Sequence, residues 1–260
     1  MTQRLSDRKA VITGAARGIG RAIATAFLRE GAAVVISDVD GEAAAQTAQE
    51  LASEGQISAV ACDVTDPEQT RALAAESVRR LGSVNVLVNN AGLSGRGAIT
   101  EMTDEGIDRL LAVNLKGVLL CTRAFAPPLE EAGNAVIINL SSQAGKRGWS
   151  GLSVYSATKA GVLGMNRALA TELAPRVRVN AICPGHIGTE GMAWRGWEAA
   201  AAAQQATAAE LGERFAEENI PLQRLQSAND IANAAVFLAS GEAREITGAA
   251  LNVGGGVAMD

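Results

Sequence analysis

The segment that most restricts what this chain can fold into is KAVITGAARGIGRAIATAFLREG, from Lys9 to Gly31. Lys9–Thr13 is a short apolar, β-branched run without polar alternation, the pattern of a strand buried on both faces. It stops at a glycine-rich turn, after which apolar residues recur at helical spacing. A strand that feeds directly into a helix reaches its next neighbour by a crossover. That forces a parallel sheet with helices over its faces.

The remainder of the chain repeats this unit. Ala33–Ser37, Ile57–Cys62, Val84–Val88, Ala135–Leu140, Val177–Cys183 and Ala249–Val253 read as strands. Between them Gly41–Glu54, Pro67–Leu81, Glu105–Glu131, a segment from Tyr155 to Leu173, Met192–Glu218 and Ala228–Ser240 read as helices. At 260 residues and 48% hydrophobic, the chain can bury one large core. No linker, charge block or repeat divides it. The expectation is α/β, a doubly wound parallel sheet, in a single domain over residues 1–260.

The turn TGAARGIG carries Gly14, Gly18 and Gly20. Strand, glycine turn and helix together make a phosphate-binding loop: N–H groups at the helix start face a pyrophosphate, and glycines let the backbone approach it. Asp38 ends the second strand, 18 positions after Gly20. A carboxylate there accepts hydrogen bonds from both adenosine ribose hydroxyls and repels a 2′-phosphate, favouring NAD over NADP. Arg17, in the loop, is a counter-signal, since a basic residue would help hold that phosphate. Asp38 outweighs it because its carboxylate would sit at the hydroxyl itself.

GLSVYSATKAG, Gly151 to Gly161, holds the only tyrosine, Tyr155, with Lys159 four residues on. On a helix the two share a face. A free phenol titrates near pH 10, and a cation within a few ångströms lowers that value, making a tuned acid/base. Upstream, Asn114 interrupts the apolar run LLAVNLKGVLLC; an interior helical asparagine requires a reason.

Other chemistries are disfavoured. A net charge of −5 and a pI of about 5.1 leave no footprint for nucleic acid or an anionic membrane. No apolar run approaches the ~20 residues of a membrane span, and no signal-peptide core precedes the first strand. Cys62, Cys121 and Cys183 are odd in number and set in apolar sequence, as buried free thiols in a reducing cytoplasm would be. With one histidine, His186, and no Cys-x-x-Cys, no metal site is expected. His186 lies in a Pro-Gly loop without an elbow serine, which sets aside a hydrolytic triad.

Taken in order, TGAARGIG, the acidic end of strand two, Asp63-Val64, NNAG (Asn89 to Gly92), Asn114, Ser142, Tyr155-x-x-x-Lys159, PGHIGT (Pro184 to Thr189) and ITGAALNVGGG form one ordered set. By this set the chain resembles the short-chain dehydrogenase/reductase family over essentially its whole length. The resemblance implies a Rossmann fold with about seven strands, and usually a homotetramer. It implies that Gly14, Gly18, Ile19 and Gly20 hold the cofactor pyrophosphate, with Arg17 beside them and Asp38 on the ribose. Asp63 and Val64 would flank the adenine, and Asn90, Ala91 and Gly92 line the cleft. Pro184, Gly185, Ile187 and Thr189 would seat the nicotinamide. Asn114, Ser142, Tyr155 and Lys159 would be the catalytic tetrad. Ser142 is preferred to Ser141 because it lies 13 residues before Tyr155, the family's usual spacing. Lys159 and Tyr155 would also touch the cofactor, and Asn114 would hold a water. Two departures stand out: Gly254 where the family usually has Asp, and Ala228-Asn229-Asp230 where it usually has Pro-Glu-Asp.

The resulting expectation is a hydride transfer between NAD(H) and a secondary alcohol or ketone, on a polyol, a sugar or a small secondary alcohol. Gln143, Trp149 and Trp194 join Ser142 and Tyr155 as substrate contacts, and residues 190–220 read as a substrate lid. Alternatives are a 3-oxoacyl-carrier-protein-type ketoreductase and, in another class, a non-catalytic NAD-binding sensor or scaffold. Asp38 weighs against the first, because those members commonly use NADPH. Ser142 paired with Tyr155 weighs against the second, since cofactor binding alone needs neither.

Overall fold

The computed structural model describes residues 3–188 and 191–259. Seven parallel strands form one sheet in the order β3-β2-β1-β4-β5-β6-β7. They are β1 (Lys9–Thr13), β2 (Ala33–Asp38), β3 (Ile57–Ala61), β4 (Val86–Asn89), β5 (Ala135–Leu140), β6 (Val177–Pro184) and β7 (Ala250–Val253). The helices are α1 (Gly18–Arg29), α2 (Gly41–Glu50), α3 (Pro67–Leu81), α4 (Asp104–Leu111), α5 (Gly117–Ala132), α6 (Ser153–Glu172), α7 (Gly191–Ala201), α8 (Ala208–Asn219) and α9 (Ala228–Ala239).

Alternate residues of each strand serve opposite faces, as the twofold strand period requires. Ile12, Ile36, Val88 and Ile138 pack toward Ile23 and Phe27 of α1 and Val236 of α9. Val11, Val35, Leu87 and Ile137 pack toward Leu73 of α3 and Phe125 and Leu129 of α5. Both faces are thereby dry, which is why the strands read as unbroken apolar runs. The chain winds outward from β1 to β3, then returns beside β1 as β4 and winds the other way. Between β1 and β4 the connections diverge and leave a crevice at the carboxyl ends of the strands.

Of the boundaries that differ from the sequence reading, three have a local cause. β4 starts at Val86 because Asn85 turns its side-chain carbonyl onto the Lys9 N–H, at 2.8 Å. α2 ends at Glu50, ahead of Gly55, whose φ of +155° suits glycine. The single helix read over 192–218 is two helices. Gln205 takes a positive φ of 49°, and Thr207 opens α8 with a capping box closed by Glu210. The helix read over Glu105–Glu131 is one continuous 29-residue helix, Asp104–Ala132, in which α4 and α5 join through a π-helical turn, Ala112–Lys116. It is long and apolar enough to cross a membrane, yet Val118, Cys121, Phe125 and Leu129 are buried within the fold.

Candidate active site

The crevice is built first by the glycine loop. Gly14 and Gly18 have φ of 62° and 61°, a region that favours glycine. A Cβ on Gly14 would lie 2.6 Å from Ala91 Cα, and one on Gly20 would lie 2.5 Å from the Gly14 carbonyl oxygen. The loop is therefore pressed against the end of β4. Asn90 fixes it there, donating from Nδ2 to the carbonyls of Thr13 (2.9 Å) and Gly14 (2.7 Å). Thr13 Oγ1 in turn accepts from the N–H groups of Asn90 and Ala91, each at 3.1 Å. α1 starts at this loop with no side-chain cap from Arg17 and no acid in its first turn. Uncapped N–H groups and the positive end of the helix dipole suit a phosphate.

Asp38 closes the other wall. Its Oδ2 accepts from Ala16 N–H at 3.1 Å and its Oδ1 from Asp40 N–H at 3.2 Å, which aims the carboxylate across the loop. Asp63 accepts from both the N–H (2.9 Å) and the hydroxyl (2.7 Å) of Thr65. Val64 is buried against Gly117, where an added Cβ would meet its Cγ2 at 2.8 Å.

The tetrad residues come from three elements. Ser142 follows β5, Tyr155 and Lys159 ride one face of α6, and Asn114 sits in the π turn between α4 and α5. Lys159 Nζ donates to the Leu140 carbonyl at 2.8 Å and lies 5.8 Å from the centre of the Tyr155 ring. The two serines have different surroundings. Ser141 donates to the Lys159 carbonyl at 2.9 Å, a packing role, whereas Ser142 faces the Tyr155 phenol and acts to lower its pKa. Ser142 Oγ also accepts from Ala144 N–H at 3.1 Å, which fixes its rotamer. A Cβ on Gly92 would stand 3.3 Å from Asn114 Oδ1 and 3.6 Å from Lys159 Nζ, so the NNAG turn meets the tetrad directly.

Burial sets the protonation states. It lowers Lys159 to about 8 and pushes the Tyr155 phenol above its ordinary value, with the Ser142 hydrogen bond opposing the second shift. The expectation that Lys159 lowers the phenol is therefore corrected for the protein alone. The ammonium stands over the ring, bonded to a carbonyl, and desolvation outweighs it. The buried Asn114 side chain is held by the backbone of Leu93 and, at 3.4 Å, by Thr158 Oγ1.

Beyond the tetrad, Pro184 ends β6, Gly185 abuts Gly254, and Ile187 bridges to Gln226. Thr189 lies outside the described residues. His186 is the functional candidate that the sequence reading passed over as a loop histidine. Its Nδ1 is 2.8 Å from Gln143 Nε2, and Trp149, Trp197 and Phe215 surround its ring at centroid distances of 6.3, 6.4 and 4.5 Å. Burial drives its pKa down to about 4, which keeps it neutral. Its one sequence signal was its place in PGHIGT. Trp194 is placed otherwise than expected: its indole donates to Glu198 Oε1 at 2.8 Å, on its own helix, and Trp197 is the tryptophan that reaches His186. Arg195 of α7 donates to Ser94 Oγ at 3.1 Å, tying that helix to the loop after β4. The three cysteines are buried and form no disulfide.

The chain is similar to known proteins over nearly its whole length. A family model described as enoyl-(acyl carrier protein) reductase matches residues 14–258. Sorbitol dehydrogenase of Cereibacter sphaeroides is 40% identical over 255 residues, covering 97% of this chain and 98% of that protein. A 3-oxoacyl-[acyl-carrier-protein] reductase of Staphylococcus aureus is 37% identical over the same length, with the same shares covered. The crystal structure of a proposed short-chain alcohol dehydrogenase from Sinorhizobium meliloti 1021 superposes with a TM-score of 0.87 at 33% identity, covering 99% of this chain and 98% of that one. A parallel seven-stranded sheet, a glycine loop at its switch point and likeness over nearly the full length lead to one conclusion: the chain belongs to the short-chain dehydrogenase/reductase family of oxidoreductases.

Proposed function

We propose that the protein transfers hydride between NAD(H) and a secondary alcohol or ketone, with a polyol, a sugar or a small secondary alcohol as substrate. The observation that carries this reading is that Asn114 and Lys159 face Gly92 of the NNAG turn, with the Tyr155 ring 5.8 Å from Lys159 Nζ and Ser142 acting on its phenol. Family members generally use a nicotinamide cofactor, and the uncapped helix start, the two positive-φ glycines and Asp38 fit one. When bound, the nicotinamide accepts or supplies the hydride.

The chain's own groups do the rest. Gly14, Gly18, Ile19 and Gly20 seat the pyrophosphate, and Asp38 takes the ribose hydroxyls, with Arg17 at the rim. Asp63 and Val64 flank the adenine, and Asn90 to Gly92, Pro184, Gly185, Ile187 and Thr189 enclose the nicotinamide side. Ser142 and Tyr155 hold the substrate oxygen. In oxidation Tyr155 takes the hydroxyl proton; in reduction it returns one to the carbonyl oxygen. Lys159 anchors the nicotinamide ribose and supplies positive charge near the phenol. Asn114 supports this set by holding Leu93. Gln143 and Trp149 form the far wall, and α7 with α8 forms a lid carrying Trp194 and Trp197.

The preference for NAD rests on Asp38, whose carboxylate would meet a 2′-phosphate with like charge. Leu111 and Leu119, 38% and 45% exposed on the long helix, support assembly into a homotetramer. Buried cysteines without a disulfide support a cytoplasmic setting. The S. aureus relative favours a second reading, a ketoreductase of carrier-bound 3-oxoacyl groups. One panel separates the two. Secondary alcohols and polyols are assayed with NAD⁺ and NADP⁺, and an acetoacetyl thioester with NADH and NADPH. Turnover of alcohols with NAD⁺ supports the first reading; turnover confined to the thioester with NADPH replaces it with the second.

A further inference from the structure

We propose that Gln143 and His186 form a hydroxyl-reading pair that selects polyols over mono-alcohols, by engaging hydroxyls beside the one that reacts. The inference rests on the alcohol-oxidising reading above and narrows its substrate class.

Gln143 directly follows Ser142, which puts the amide one residue from the Ser142–Tyr155 pair. Its side chain is 5% exposed, with Nε2 spent on His186 Nδ1 at 2.8 Å. Its Oε1 is buried and has no hydrogen-bond partner. Buried carbonyls are seldom left so, and an orphan of this kind calls for a donor from outside the chain.

The pair's pattern does not depend on how the amide is turned. With Nε2 donating to Nδ1, the free ends are an acceptor, Gln143 Oε1, and a donor, His186 Nε2–H. With the amide reversed, the free ends are a donor on Gln143 and an acceptor on His186. Either way the two ends offer one donor and one acceptor, and hydroxyls serve both. The ring stays neutral through the ordinary working range, since burial holds it at about 4 and no charged group contributes to that shift. A neutral pair matches neutral hydroxyls. Trp149, Trp197 and Phe215 around the ring supply apolar faces of the kind that pack on the C–H side of a polyol.

Gly254 fits the same account. A Cβ there would lie 3.1 Å from Gln143 Oε1, and the Asp expected by family resemblance would add a carboxylate to an already unpaired acceptor. The glycine leaves Gln143 in place, which gives that departure a role in the site.

The test uses one four-carbon series, 2-butanol, 2,3-butanediol and erythritol, with NAD⁺. The wild type is expected to show kcat/KM at least tenfold higher for the diol than for 2-butanol, with erythritol also preferred. His186→Phe, Gln143→Leu and Gly254→Asp should each cut the diol-to-2-butanol ratio at least tenfold, and His186→Gln should restore part of it. NADH fluorescence confirms that each variant is folded. Because His186 is the only histidine, ¹⁵N-histidine labelling gives one imidazole signal. In the enzyme–NAD⁺ complex, 2,3-butanediol should move its Nε2 resonance and 2-butanol should not. A wild type that treats both alcohols alike, ratios untouched by the variants, or a resonance silent to the diol would each overturn the proposal. If no alcohol is turned over, the alcohol-oxidising reading fails, and the imidazole signal still decides the pair.

Discussion

Asn114 grips Leu93 with both ends of its amide, accepting from the Leu93 N–H at 2.7 Å and donating to the Leu93 carbonyl at 2.9 Å. This answers why an asparagine interrupts an apolar helix. It satisfies the backbone just after Gly92 and so holds the cleft wall beside Lys159. Removing it leaves a part-buried N–H and carbonyl without that partner, each costing up to about 1–3 kcal/mol. Asn114→Leu should lower stability by roughly 2–4 kcal/mol and depress kcat. Urea denaturation and steady-state kinetics check this. A variant of wild-type stability would show that the Leu93 contact is dispensable.

Lys159 destabilises the fold that it serves. Its pKa falls from 10.5 to about 8, so the unfolded chain binds more protons than the native one between those values. The burial cost is thus complete below pH 8 and relieved as pH rises to 10.5. Lys159→Met, which removes the charge and keeps the volume, should be more stable at pH 7 by about 2 kcal/mol, after subtracting the Leu140 hydrogen bond. It should bind NADH more weakly and be inactive. Chemical denaturation at pH 7 and pH 10 would expose the error if the variant were less stable at both.

The raised Tyr155 phenol fixes the sign of the pH response. Alcohol oxidation needs the phenolate, so kcat/KM should climb with pH through the alkaline range. Ketone reduction needs the phenol and should fall over the same range. Profiles in both directions test this, and oxidation that is flat from pH 7 to pH 10 would contradict it.

Asp38 should control cofactor choice. Asp38→Ala removes the charge facing a 2′-phosphate, and the ratio of kcat/KM for NAD⁺ over NADP⁺ should drop at least tenfold. An unchanged ratio would move the selectivity elsewhere, with Arg17 next in line.

The sheet was legible because buried parallel strands leave unbroken β-branched runs, and the loop because left-handed backbone selects glycine at Gly14 and Gly18. Ser142 was separable from Ser141 by family spacing alone. Other features depend on contacts between residues far apart in the chain. The direction of the Tyr155 shift is one: helical spacing places Lys159 nearby but carries no information about how dry the site is. The environment of His186 is another, assembled from Gln143, Trp149, Trp197 and Phe215 on four separate stretches. The break between α7 and α8 depends on Thr207 and Glu210 closing a capping box inside an alanine-rich run, a local signal masked by high helix propensity on both sides.

The central claim, that Tyr155 is the proton-transferring group of an NAD(H)-dependent oxidoreductase, is tested most directly by Tyr155→Phe. The substitution removes one hydroxyl and keeps the ring over which Lys159 lies. NADH binding, followed by fluorescence, should persist, while kcat/KM for the best alcohol in the NAD⁺ panel falls at least ~100-fold. A variant that binds NADH normally and turns over at the wild-type rate would contradict the assignment.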